Sequence, residues 1–137
     1  MPSKPKAYVL DSWAVLAFYE HETEGRKVAD LLLAAHEQDI PLWISVVNLA
    51  EVWYIIARRT DEAEADKVIS ELHNLEIRIE NAEWKLSRQA AVFKAGNKMS
   101  LADAYAAALA VQKDAQLVTG DDEFRALQAM IKFHWLR

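Results

Sequence analysis

A chain of 137 residues, 53% of them hydrophobic, can bury one substantial core but not two, so residues 1–137 are expected to form a single domain. With 16 Lys and Arg against 21 Asp and Glu the net charge is −5, which argues against a basic face wrapping duplex nucleic acid but not against nucleic-acid chemistry at a metal site. The absence of cysteine removes disulfides, thiolate nucleophiles, zinc ribbons and iron–sulfur clusters, and leaves chemistry to carboxylates, hydroxyls or histidines.

The opening Met1-Pro2-Ser3-Lys4-Pro5-Lys6 is basic, but the apolar stretch behind it meets Asp11 too soon for the core of a secretory leader. No apolar run approaches the ~18 residues of a membrane span, so a soluble, cytoplasmic protein is expected. Residues 7–10 read as a short buried strand, and Asp11-Ser12 then offer caps for a helix through Tyr19. Apolar residues at helical spacing mark 22–38 (Val28, Leu31, Leu32, Ala35), and Pro41 separates this helix from a strand at 42–45. Ser45 is a cap for a helix over 46–59, and a further helix runs from Asp61 to about Leu72. A third strand falls at 76–79, a helix at 82–94, a break at Gly96-Asn97, and an alanine-rich helix from Ser100 to about Lys113. Residues 116–119 form a fourth strand, Gly120-Asp121-Asp122 turn into a short helix near 124–127, and 131–136 can close the sheet as an edge.

Strands alternating with helices at this spacing predict a three-layer α/β/α fold around a short, mostly parallel sheet of four to five strands. Ligands of such sheets bind beyond the carboxyl ends of the strands. Asp11 ends the first strand and Asp121 follows the fourth, so both belong to that rim. Glu51 sits among apolar neighbours (Leu49, Val52, Trp53), where a lone carboxylate needs a cation or a strong donor. Asp103 lies in the first turn of a helix whose small residues, Ala102, Ala106, Ala107 and Ala110, leave room for approach. Each acid also has a structural reading: Asp11 as a helix cap, Ser100 to Asp103 as a capping box, Asp121 as turn chemistry, Glu51 as the partner of Arg58 or Arg59. One divalent-metal cage explains all four together, because clustered carboxylates repel unless a hard cation neutralises them.

Four segments, Val9-Leu10-Asp11-Ser12, Ser45-Val46-Val47-Asn48-Leu49-Ala50-Glu51, Ser100-Leu101-Ala102-Asp103-Ala104 and Leu117-Val118-Thr119-Gly120-Asp121, resemble in order those of the PIN-domain ribonucleases, above all the VapC-type toxins of toxin–antitoxin pairs. The resemblance covers essentially the whole chain. It implies that Asp11, Glu51, Asp103 and Asp121 form an acidic metal-binding quartet, with Ser12 and Thr119 as hydroxyl support, and that an antitoxin protein is a partner. Trp13 stands where many members carry a small residue, which bears on the cleft beside Asp11. Asp122 adds a fifth acid, leaving Asp121 or Asp122 to face the metal; Asp121 holds the family's position.

The chemistry that follows is Mg²⁺- or Mn²⁺-dependent hydrolysis of RNA phosphodiester bonds. Lys94, Lys98 and Arg125 are candidate RNA contacts, and Trp13 or Tyr19 could stack on a base or simply pack. Leu49, Val52, Trp53 and Ile56 exceed what one small core obviously absorbs; a homodimer or an antitoxin groove, or the sheet itself, would cover them. Two readings compete: a catalytically silent module that binds RNA or protein, and an aspartate-based phosphotransfer domain, which would leave Glu51 without a task.

Overall fold

The computed structural model describes residues 4–137; Met1, Pro2 and Ser3 of the basic opening lie outside them. Short apolar runs form five strands, β1 (Tyr8–Leu10), β2 (Leu42–Ser45), β3 (Ile77–Glu80), β4 (Gln116–Thr119) and β5 (Lys132–Trp135). Between them lie α1 (Ser12–Glu20), α2 (Glu22–Glu37), α3 (Val46–Arg59), α4 (Glu62–Asn74), α5 (Trp84–Gly96), α6 (Leu101–Gln112) and a 3₁₀ helix, Asp122–Leu127. Among the described residues no helix is long and apolar enough to cross a membrane.

The strands pair in the order β3-β2-β1-β4-β5, and every pairing is parallel. Side chains alternate across the sheet, as the pleat requires. Leu10, Ile44 and Val118 face a core built with α1 to α4, while Val9 and Leu117 face one built with α5, α6 and the 3₁₀ helix. The fold is therefore the three-layer α/β/α arrangement expected, with a sheet wholly rather than mostly parallel.

Local chemistry sets the boundaries. Asp11, Ser45, Asp61 and Ser100 each cap a helix by accepting from the backbone N–H three residues on. The returns from α2, α4 and α6 into strands pass through left-handed residues that are not glycine: Asp39 (φ 55°), Glu76 (59°) and Asp114 (49°). Glu76 is thus excluded from β3, which starts one residue later than its sequence pattern suggests. α5 reaches Gly96, and Asn97 closes it by donating from Nδ2 to the Phe93 carbonyl at 3.0 Å.

The apolar run on α3 is covered within the chain. Val52 and Ile56 are buried, Leu49 and Trp53 half-buried, in the cluster to which α4 contributes Ala65, Val68 and Leu72. Trp53 also donates from Nε1 to Asp66 at 2.9 Å.

A polar hub sits beneath the carboxyl rim. Asn48, fully buried in the first turn of α3, donates from Nδ2 to Ser12 Oγ and to the Ala102 carbonyl, both at 3.1 Å. It also accepts from Ser45 Oγ at 2.5 Å. One side chain thereby ties together the starts of α1, α3 and α6, the helices associated with Asp11, Glu51 and Asp103. Asn48→Ala strands several buried partners at once, and urea denaturation should show a loss of about 2–4 kcal/mol. A loss within error of zero would contradict this hub.

Candidate metal centre

In this strand order the chain runs outward from β1 to β3 and returns beside β1 as β4, so the topological switch falls between β1 and β4. α1 leaves β1 towards one core and the 3₁₀ helix leaves β4 towards the other, the arrangement that opens a crevice in such sheets. Asp11 begins the first departure and Asp121 the second.

Asp11 is 1% exposed. Its Oδ1 accepts from Ala14 N at 2.7 Å and its Oδ2 from Thr119 Oγ1 at 2.5 Å. The Thr119 hydroxyl accepts in turn from Asp121 N at 3.0 Å, so a line of hydrogen bonds runs from Asp121 to Asp11. Asp11 is thus both helix cap and rim acid. Ser12, also buried, directs its hydroxyl to Asn48 and not to Asp11.

Asp103 faces the crevice from the first turn of α6, where Ser100 Oγ accepts from its N–H at 3.1 Å. Oxygens of Asp103, Asp121 and Glu123 lie within 4.8 Å of one another. Glu123 follows directly from the turn, because its N–H donates to Asp121 Oδ1 at 2.9 Å. Asp11 and Glu51 do not join this trio, but both belong to the same electrostatic cluster: Asp103 senses Glu51, and Asp11 senses Asp103 and Asp121. Glu51 is half-buried on α3. Neither arginine of α3 pairs with it, since Arg59 bonds Glu20 and Arg58 lies over the Tyr54 ring at 4.9 Å. Asp122 is exposed and its carboxylate pairs with Arg125 at 3.7 Å.

Two of the candidate RNA contacts lie at the α5–α6 connection and the third on the 3₁₀ helix. Lys94 donates to the Met99 carbonyl at 2.8 Å and braces the α5–α6 connection. Lys98 is exposed in that connection. Arg125 lies 3.9 Å from the Trp135 ring centroid. Tyr19 donates its hydroxyl to Glu71 at 2.7 Å, a packing role. Glu123 and Asn48 are the residues that sequence singled out least and the structure brings closest to the rim chemistry. A carboxylate two residues beyond Asp121, at the start of a helical turn, was the available signal for Glu123.

Burial pushes the Asp11 carboxyl up to about 8, against the pull of the Thr119 and Ala14 hydrogen bonds, with the Asp103 and Asp121 charges adding to the rise. Burial likewise raises Asp103 to about 6, helped by Asp121, Glu51 and Glu123 and opposed by Ser100. An all-oxygen donor set suits a hard divalent cation such as Mg²⁺ or Mn²⁺. Asp103, Asp121 and Glu123 are the side chains spaced to hold it.

The sequence matches the PIN domain family over residues 8–129. No curated protein matches it. Its fold is similar to that of VapC20 from Mycobacterium tuberculosis, described as a toxin cleaving the sarcin-ricin loop, at 19% identity and a TM-score of 0.68, covering 89% of this chain and 95% of that one. It is similar to DNA-bound VapBC from Salmonella typhimurium at 14% identity and a TM-score of 0.73, covering 96% and 98% of the two chains. VapBC2 from Rickettsia felis, bound to a fragment of its promoter, aligns at 20% identity and a TM-score of 0.71, covering 94% and 98%.

Raised carboxyl pKa values fix the sign of a pH effect. The metal-free folded state holds protons on Asp11 and Asp103 that the unfolded chain has already released, so its stability falls as pH rises from about 4 towards about 8. Thermal melts in chelator should show this decline, Asp11→Asn should flatten it, and Mn²⁺ should reverse it at the alkaline end. A melting temperature that climbs across this window in chelator would contradict the assignment.

Proposed function

The chain belongs to the PIN domain family, and on that premise we propose that it is a metal-dependent endoribonuclease, the toxin of a type II toxin–antitoxin pair. It hydrolyses RNA phosphodiester bonds with Asp11, Glu51, Asp103 and Asp121 as its acidic quartet. The observation that carries this reading is the gathering of carboxylates at the β1/β4 switch point, on elements far apart in sequence, with Asp103, Asp121 and Glu123 within 4.8 Å of one another. The fold shared with VapC20, described as a sarcin-ricin loop cleaving toxin, and with proteins described as belonging to toxin–antitoxin complexes or systems supports the toxin assignment and an antitoxin partner.

Asp103, Asp121 and Glu123 would hold Mg²⁺ or Mn²⁺, which when bound supplies Lewis acidity towards a phosphoryl oxygen and acidifies water. Thr119 keeps Asp11 and the Asp121 turn in fixed relation through its two hydrogen bonds. Glu51 adds negative potential behind Asp103 and strengthens the cage's preference for a dication. Ser12 supports this arrangement indirectly, through Asn48. The same proposal includes a cytoplasmic protein acting as a homodimer, to which the exposed Trp84, Val92 and Leu101 of α5 and α6 could contribute.

The test is cleavage of structured and unstructured RNAs by purified protein with Mg²⁺ or Mn²⁺. Asp103→Asn should lower the rate by at least about 10²-fold, a typical cost of losing one electrostatic partner of the transition state, with the far-ultraviolet circular dichroism unchanged; chelator should abolish it. Cleavage that survives both the substitution and chelation would overturn the proposal. Mn²⁺ binding without cleavage of any RNA would favour the silent binding module.

A further inference from the structure

Trp13, two residues after Asp11, builds part of the rim. Its six-membered ring packs directly on Gly120, where any Cβ would collide with it. The same indole lies parallel to the His21 imidazole, centroids 6.1 Å apart and planes 5° apart. The Arg137 guanidinium carbon is 5.3 Å from its centroid. Arg137 is fixed at a second point, its Nε donating to the Gly120 carbonyl at 2.8 Å. Lys27 of α2 joins the same corner by donating to the Leu136 carbonyl at 2.9 Å.

This corner adjoins the acidic trio, because Gly120 immediately precedes Asp121. An RNA approaching that trio meets like charge, and a chain of net charge −5 has no general attraction to offer in compensation. A cation fixed at the rim is therefore needed to hold the backbone. Arg125 shares its charge with Asp122 at 3.7 Å, and Lys94 and Lys98 sit at the α5–α6 connection, Lys94 on the Met99 carbonyl, whereas Arg137 is on the residue next to Asp121. Arg137 is exposed, has no carboxylate partner among the described residues, and spends only Nε on Gly120. Its two Nη groups form a planar fork that matches two phosphate oxygens, and stacking on Trp13 limits the entropy lost in using it.

We propose that Arg137, seated on Trp13 and anchored to Gly120, grips a backbone phosphate of the RNA next to the scissile one, so that the Trp13–Arg137 corner is a substrate-binding element. This rests on the ribonuclease reading above. It is not a ligand role: Arg137 binds the polyanion while the carboxylates perform the chemistry.

The experiment compares wild type, Arg137→Ala and Arg137→Lys on a fluorescein-labelled single-stranded oligoribonucleotide with Mn²⁺. KM should rise about tenfold or more in Arg137→Ala, the scale of one lost charge-assisted hydrogen bond, with kcat within about threefold. Arg137→Lys should recover part of it. Binding to the Asp11→Asn protein, followed by anisotropy across a KCl series, should lose about 0.7 from the slope of log K against log salt when Arg137 is replaced, the signature of one fewer phosphate contact on a single strand. Unchanged KM and salt slope overturn the inference while leaving the nuclease intact. A fall in kcat alone, with the salt slope preserved, also overturns it and reduces Arg137 to a clamp on the Gly120 turn. Failure of the wild type to bind or cleave any RNA instead overturns the ribonuclease reading, and this inference with it.

Discussion

A carboxyl group shut away from water must be neutral, hydrogen-bonded or beside a cation, and Asp11 lives under that constraint at the end of the central strand. The Thr119 hydroxyl meets it by donating to Oδ2, and the Ala14 N–H by donating to Oδ1. Neither donor suffices to keep the group ionised at its usual pKa, so burial wins. The architecture of the rim is arranged around the same bond. Thr119 can reach Asp11 only because β1 and β4 are neighbours, with Leu10 opposite Val118, and by accepting from Asp121 N it orients the turn that carries the second acid.

Close approach is the other requirement, and small residues supply it. Ala104, Ala106, Ala107 and Ala110 of α6 are buried to within 2% exposure, letting that helix lie near the sheet and bring Asp103 to Asp121. Gly120 does the same on a smaller scale by accommodating the Trp13 ring. Trp13 and Gly120 are thus a matched pair, and the large residue beside Asp11 fills space that the glycine vacates. Asn48 supplies the polar counterpart, joining three helix starts that hydrophobic packing alone would leave free to slide.

The elements were legible because each is marked by chemistry acting within a few residues. Asp11, Ser45 and Ser100 announce helices through caps that need only the N–H three positions on, and 42–45 and 116–119 read as strands from short apolar runs. Parallel order followed from alternation, and the placement of Asp11 and Asp121 on one rim followed from that order. What sequence could not supply depends on contacts between distant segments. Asn48 reads as one more polar residue of α3 until Ser12 and Ala102 are seen beside it. Arg137 and Trp13 stand 124 positions apart (137 − 13), and no local pattern relates them. Glu123 was obscured for another reason: in a run of three acids, composition does not reveal which side chain lies beside Asp103 and which, like Asp122, pairs with Arg125 instead.

The account rests on the acidic trio being a site for a hard dication, and the direct measurement is anomalous scattering from crystals soaked in Mn²⁺. The account predicts a peak in direct contact with carboxylate oxygens of Asp103 and Asp121, with Glu123 turned towards it, and its loss in Asp103→Asn crystals. Well-ordered carboxylates at the β1/β4 rim with no peak at saturating Mn²⁺ would contradict it.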